Sequence, residues 1–191
     1  MDPDEGEEAG VPMQHPVCSD LEESQMIGHI LVPLDGSKLA EVVLPYAKEL
    51  GTRLNARITF LQVIRYGMPA DALEGVTAAT IEAMEEETER EVQAASDYLS
   101  RLAGDWQAEG IDARWQVARV IRLPRGTPAP KIIDLAHSLG ADLIAMSTHG
   151  RSGLGRVFFG SVADEVLREA GTPVLLIRSG HRTAETPHAS E

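Results

Sequence analysis

The sequence predicts an α/β fold: a doubly wound, mainly parallel five-stranded sheet with helices on both faces. Two observations carry this. Short β-rich apolar runs alternate with longer stretches of three- and four-residue periodicity along most of the 191 residues. The strand runs are apolar nearly throughout, as strands covered on both faces are, and alternating strands and helices imply parallel pairing. With right-handed crossovers few topologies remain.

Residues 29–35 (His-Ile-Leu-Val-Pro-Leu-Asp) form the first such run, ended by the turn signal Asp35-Gly36-Ser37. Leu39, Val42, Val43, Tyr46, Ala47 and Leu50 then mark one helix face, with Pro45 inside it, where a lost hydrogen bond should kink the helix. A β-rich run at 57–64 carries Ile58, Phe60, Gln62 and Val63. From about 69 to 107 the pattern is helical, with Ile81, Met84, Thr88, Val92, Ala95, Leu99 and Leu102 in one stripe. Glu85, Glu86, Glu87 and Glu89 fall largely off it and read as a solvated face. Gly110-Ile111-Asp112 opens a third strand at 113–121. Pro128 and Pro130 precede a helix carrying Ile132, Ile133, Leu135, Ala136 and Leu139, with Gly140 at its C-cap. Residues 141–146 are a fourth strand, 161–169 a helix and 173–178 a fifth strand.

The ends read differently. Residues 1–26 hold eight acids, three prolines and no Lys or Arg, which predicts an acidic disordered tail. The folded domain is expected at 27–179, with a polar C-terminal tail at 180–191. That acidic tail carries more than half of the formal net charge of −13. An acidic chain disfavours nucleic acid and anionic membranes as partners. No signal-peptide pattern opens the chain, and no apolar run approaches the ~20 residues of a membrane span. A single cysteine, Cys18, fits a reducing compartment, so a cytoplasmic location is expected. The six His and one Cys show no zinc-ligand spacing.

In open parallel sheets, ligands bind outside the carboxyl ends of the strands at the switch point. That rule points to residues 33–37 and to 147–150. Residues 147–161 (Ser-Thr-His-Gly-Arg-Ser-Gly-Leu-Gly-Arg-Val-Phe-Phe-Gly-Ser) follow a strand, run into a helix, and contain four glycines, two arginines and no acid. Glycines let backbone N–H groups approach a ligand, and a helix N-terminus offers unpaired donors and a positive dipole end. Ser161 can serve as N-cap, and Ser161-Val-Ala-Asp164 matches a capping box. The chemistry suggested is an anion, a phosphate, cradled by Gly160, Ser161 and the N–H groups that follow. The Gly-Lys-Ser/Thr ending of a Walker A loop is absent.

The run from Met146 to Arg178, and the opening run Ile30-Leu-Val-Pro-Leu-Asp-Gly-Ser37, closely resemble universal stress proteins of the ATP-binding type. The family's ATP motif is Gly-x2-Gly-x9-Gly-Ser/Thr. Gly150, nine residues, then Gly160-Ser161 match it, and Ser147 replaces its first glycine. The resemblance implies a Rossmann-like fold of the adenine nucleotide alpha hydrolase kind, a nucleotide-binding stress-response or regulatory role, ATP with or without Mg²⁺, and a homodimer paired through the last strand. It also implies roles. Pro33, Leu34 and Asp35 would line the adenosine end, and Val63 would touch the adenine. Met146 would stand at the strand end beside the ligand, while Ser147, His149 and Gly150 would border ribose and phosphates. Gly160, Ser161 and Val162 would hold the phosphates. Plainer readings stand beside these: Asp35 as a helix cap, Met146 as core filling, and Arg151 and Arg156 as surface charges. No nucleophile–base pair appears among the positions, so binding is expected rather than rapid catalysis. The alternatives are slow ATP hydrolysis or nucleotidyl chemistry, and a dimeric interaction module of the same fold that has lost ATP.

Overall fold

The computed structural model describes residues 26–67, 76–121, 127–148 and 160–178. In chain order these hold β1 (His29–Leu34), a 3₁₀ turn (Ala40–Val43), α1 (Leu44–Leu54), β2 (Arg57–Tyr66), α2 (Ala78–Ala108), β3 (Ala113–Ile121), α3 (Ala129–Leu139), β4 (Leu143–Thr148), α4 (Ser161–Glu169) and β5 (Val174–Arg178). The five strands make one sheet in the order β3-β2-β1-β4-β5, and every pairing is parallel. The chain builds outward from β1 through β2 to β3, then returns to β4 on the other side of β1. The switch point therefore lies between β1 and β4, where such sheets bind ligands.

Strand alternation divides the core in two. Ile30, Val32, Leu34, Ile58 and Phe60 face one layer, with Val43 and Ala47 and with Leu99, Ala103 and Trp106 of α2. Leu31, Leu61, Ile144 and Met146 face the other, with Ile132, Leu135 and Ala136 of α3 and Ala163 and Val166 of α4. Helices thus cover both faces. All six β1 residues are buried, as its unbroken apolar run requires. Phe60 meets Trp106 edge to face at 4.8 Å between ring centroids, an aromatic contact inside a mainly aliphatic layer.

At the amino-terminal end of the sheet, buried His29 joins three elements. The Leu139 carbonyl can only accept, so Nδ1–H of His29 donates to it (3.1 Å). Nε2 then accepts from the Thr59 hydroxyl (2.8 Å). Burial, with Arg57 nearby, holds the imidazole below its usual pKa despite Asp142 and Asp112.

Several sequence expectations shift. Pro45 does not kink a helix interior. The chain makes a 3₁₀ turn first, and α1 begins at Leu44 with the proline in its first turn, where the missing N–H had no helical partner to lose. Gly140 is the α3 C-cap as expected, in the left-handed region at φ 63°, and Ala129–Leu139 already includes Pro130. β2 runs two residues beyond 64, and β4 lies two residues later than expected, so Ser147 and Thr148 are strand residues rather than loop. The stripe on α2 is buried only from Ala95 onward; Ile81 is 50% exposed. A helix of 31 residues spans about 46 Å. The ten-residue β2 spans about 33 Å, so the first turns of α2 overhang the sheet.

Candidate functional site

A cavity of about 420 Å³ opens at the carboxyl ends of β1, β2 and β4, within the usual size of small-molecule sites. Each wall has a local cause. At the end of β1, Asp35 accepts from the Ser37 N–H (2.9 Å), and Ser37 Oγ accepts from the Ala40 N–H (3.0 Å). Gly36 supplies the left-handed bend at φ 77°, a conformation that a side chain disfavours. These bonds turn the chain across the strand ends and set Leu39 and Ala40 on the cavity. Asp35 is thus a turn-forming residue and a lining residue at once.

β2 contributes Leu61, Val63 and Arg65, successive residues of one strand face. β4 contributes Met146, Ser147 and Thr148. Met146 is buried in the second core layer and also floors the cavity. Ser147 pairs with Ile177 of β5, and among the described residues only Asn55 has positive φ without being glycine. The serine therefore sits in ordinary strand backbone. At the start of α3, the Thr127 hydroxyl donates to the Glu165 carboxylate and accepts from the Ala129 N–H (3.1 Å). That bond ties the α3 start to α4.

The α4 end closes the site. Gly160, not Ser161, is the N-cap, with φ −57° and ψ 149° and no side-chain cap. Ser161 is the first helical residue, so the expected capping box does not form. Its fourth member, Asp164, instead pairs with Arg168 one turn on (3.0 Å). The Gly160 N–H donates weakly to Thr148 Oγ1 (3.4 Å). The N–H groups of the first helical turn have no partner within the helix, and Gly160, Ser161, Val162 and Ala163 all face the cavity. Asp35 and Arg65 are the charged residues among the described lining. No group of three His, Cys, Asp or Glu able to hold a metal occurs among the described residues.

Nine of the expected site residues meet in this one cavity: Pro33, Leu34, Asp35, Val63, Met146, Ser147, Gly160, Ser161 and Val162. His149 and Gly150 lie outside the described residues, as do Arg151 and Arg156. Sequence reasoning missed half of the wall, Leu61, Arg65, Thr127 and Thr148 among it. Period-two counting from Val63 could have found Leu61 and Arg65. Nothing local marks Thr127.

The sequence profile of the universal stress protein family matches residues 26–178. The chain belongs to this family. Universal stress protein MJ0531 of Methanocaldococcus jannaschii is 28% identical over 153 residues, covering 78% of this chain and 81% of that protein. Universal stress protein Sll1388 of Synechocystis is 29% identical over 160 residues, covering 79% and 97%. The structure of the universal stress protein UspA from Lactobacillus plantarum superposes with a TM-score of 0.63 over 80% of this chain and 98% of that one. At 24% identity that likeness is one of fold: the universal stress protein fold is the Rossmann-like, doubly wound sheet built above. Among the described residues no helix is long and apolar enough to cross a membrane.

Proposed function

We propose that this universal stress protein binds ATP in the cavity between β1, β2, β4 and α4, and acts through its nucleotide-bound state rather than by rapid turnover. The observation that carries this reading is the convergence of nine positions that the family resemblance implies, scattered from residue 33 to residue 162, on one cavity. The residues suit the ligand. Open N–H donors and the positive end of α4 favour phosphate, and the apolar wall of Pro33, Leu34, Leu61 and Val63 favours a base. In this reading Asp35 takes the adenosine end and Val63 the adenine. Ser147, with His149 and Gly150, borders the ribose and phosphates, and Gly160, Ser161 and Val162 hold the phosphates. Mg²⁺ would ride on the phosphate oxygens, as this ion commonly does.

The serine at position 147 does not argue against ATP, because strand backbone there needs no glycine and a hydroxyl can donate to a sugar or phosphate oxygen. We also propose a homodimer. β5 is a sheet edge whose Val174, Leu175 and Leu176 are half-buried rather than covered, and such an edge invites pairing.

Thermal melting with and without MgATP tests the binding. Ligand at a hundredfold excess over Kd stabilises by about 2.7 kcal/mol, and at 2–4 °C per kcal/mol for a domain of this size the midpoint should rise by about 5–10 °C. A melting point unmoved at millimolar ATP overturns the reading and leaves the dimeric interaction module. Steady-state phosphate release separates a sensor, which shows hardly any, from a slow ATPase.

A further inference from the structure

Arg65 belongs to no motif, yet it lines the cavity on the same strand face as Leu61 and Val63. β2 outruns β1: Leu34, the last β1 residue, pairs with Gln62, so Arg65 stands beyond the end of β1, supported on its other side by Val120 of β3. It is exposed there. A second cavity on the α2 face, against Gln62 and Tyr98, shares Asp35, Val63 and Arg65 with the first. Arg65 therefore stands at the rim where the two openings meet.

Its place in the sheet decides which part of a ligand it can reach. Gly160 and Ser161 lie past β4, and β1 separates β4 from β2, a distance of two strand spacings or about 10 Å. A nucleotide with its phosphates on the first turn of α4 turns its base, not its phosphates, toward β2. There the partly buried, apolar Val63 offers a surface for one face of a base, backed by Leu61 of the core. A guanidinium is planar, weakly hydrated and prone to stack on π systems.

We infer that Arg65 is a base-recognition residue of this site, its guanidinium closing over the face of the purine that Val63 leaves open. The inference rests on the nucleotide reading above and adds to it the group that holds the base.

Calorimetric titration of the full chain with AMP, ADP and ATP tests it, comparing the parent with Arg65→Met, which keeps the apolar stem and removes the guanidinium. Affinity should fall by about tenfold, the size of a partly desolvated cation–π contact. The factor should be the same for all three ligands, because all three share the base, and the salt dependence should not change. Circular dichroism should show the two ligand-free proteins folded alike. Two results overturn the inference while leaving the nucleotide reading intact: an unchanged affinity, or a loss that grows from AMP to ATP with a shallower salt dependence, which would make Arg65 a phosphate contact. A parent that binds none of the three sinks the nucleotide reading itself.

Discussion

Replacing Gly160 by valine should abolish ATP binding and leave the fold standing. The backbone there, at φ −57° and ψ 149°, is extended and open to any residue, so a side chain brings no dihedral strain. A compatible substitution of glycine stabilises by about 0.4–1 kcal/mol through the unfolded chain. Valine is a poorer N-cap than glycine, which costs up to about 1 kcal/mol. These nearly cancel, and a residual of about 1 kcal/mol moves the melting point by only about 2–4 °C. Binding answers differently. Gly160 lines the cavity beside Ser161 and Val162, so a branched side chain takes the space between the phosphates and the N–H donors. Losing two hydrogen bonds to a charged group, at about 1.5–3 kcal/mol each, means an affinity at least about a hundredfold lower, since 1.4 kcal/mol is tenfold. Titration calorimetry and a melting curve on the same preparation decide it. A Gly160→Val protein that melts like the parent and still binds ATP as tightly would refute the cradle; one that fails to fold would refute the backbone argument.

Four further outcomes follow from the site, the core and the sheet edge. Ser147→Gly should change ATP affinity only slightly, and if it instead creates binding that the parent lacks, the parent is the interaction module. Trp106 is 5% exposed against Phe60, so Trp106→Ala should lower stability by about 3–5 kcal/mol in urea unfolding, a loss under 1 kcal/mol contradicting the core assignment. His29 has a folded-state pKa below 6.5, so the native state binds fewer protons than the unfolded one. Its stability is fully present above pH 6.5 and is lost as pH falls toward the depressed value. Unfolding free energy should decline through that window, and His29→Gln should flatten the decline; an identical slope in both proteins would assign the effect elsewhere. For the proposed dimer, light scattering at micromolar concentration should give twice 20.6 kDa, and Leu175→Asp on the half-buried edge strand should return the mass of a folded monomer; a parent already at the monomer mass rejects the pairing.

Local signals were read correctly where the physics is local. The C-cap at Gly140, the start of β3 at Ala113 and the span of α4 each follow from residues within a few positions. Boundaries failed where neighbours in space intervene. β4 continues through Ser147 and Thr148 because β5 pairs with them. Ser161 is not the cap because its backbone is already helical, and the extended residue before it is Gly160.

By itself, the sequence determined the five strands, the helices between them and the two covered faces, because periodicity is a property of short windows; the family resemblance, not periodicity, supplied nine residues of the cavity wall. Only the tertiary structure decided the order β3-β2-β1-β4-β5, since strand order depends on which crossovers pack and not on any segment alone. Only that order sets Val63 and Arg65 opposite Gly160 and brings Thr127 to Glu165. These residues are distant along the chain, and their meeting depends on parallel strands that all deliver their carboxyl ends to one rim.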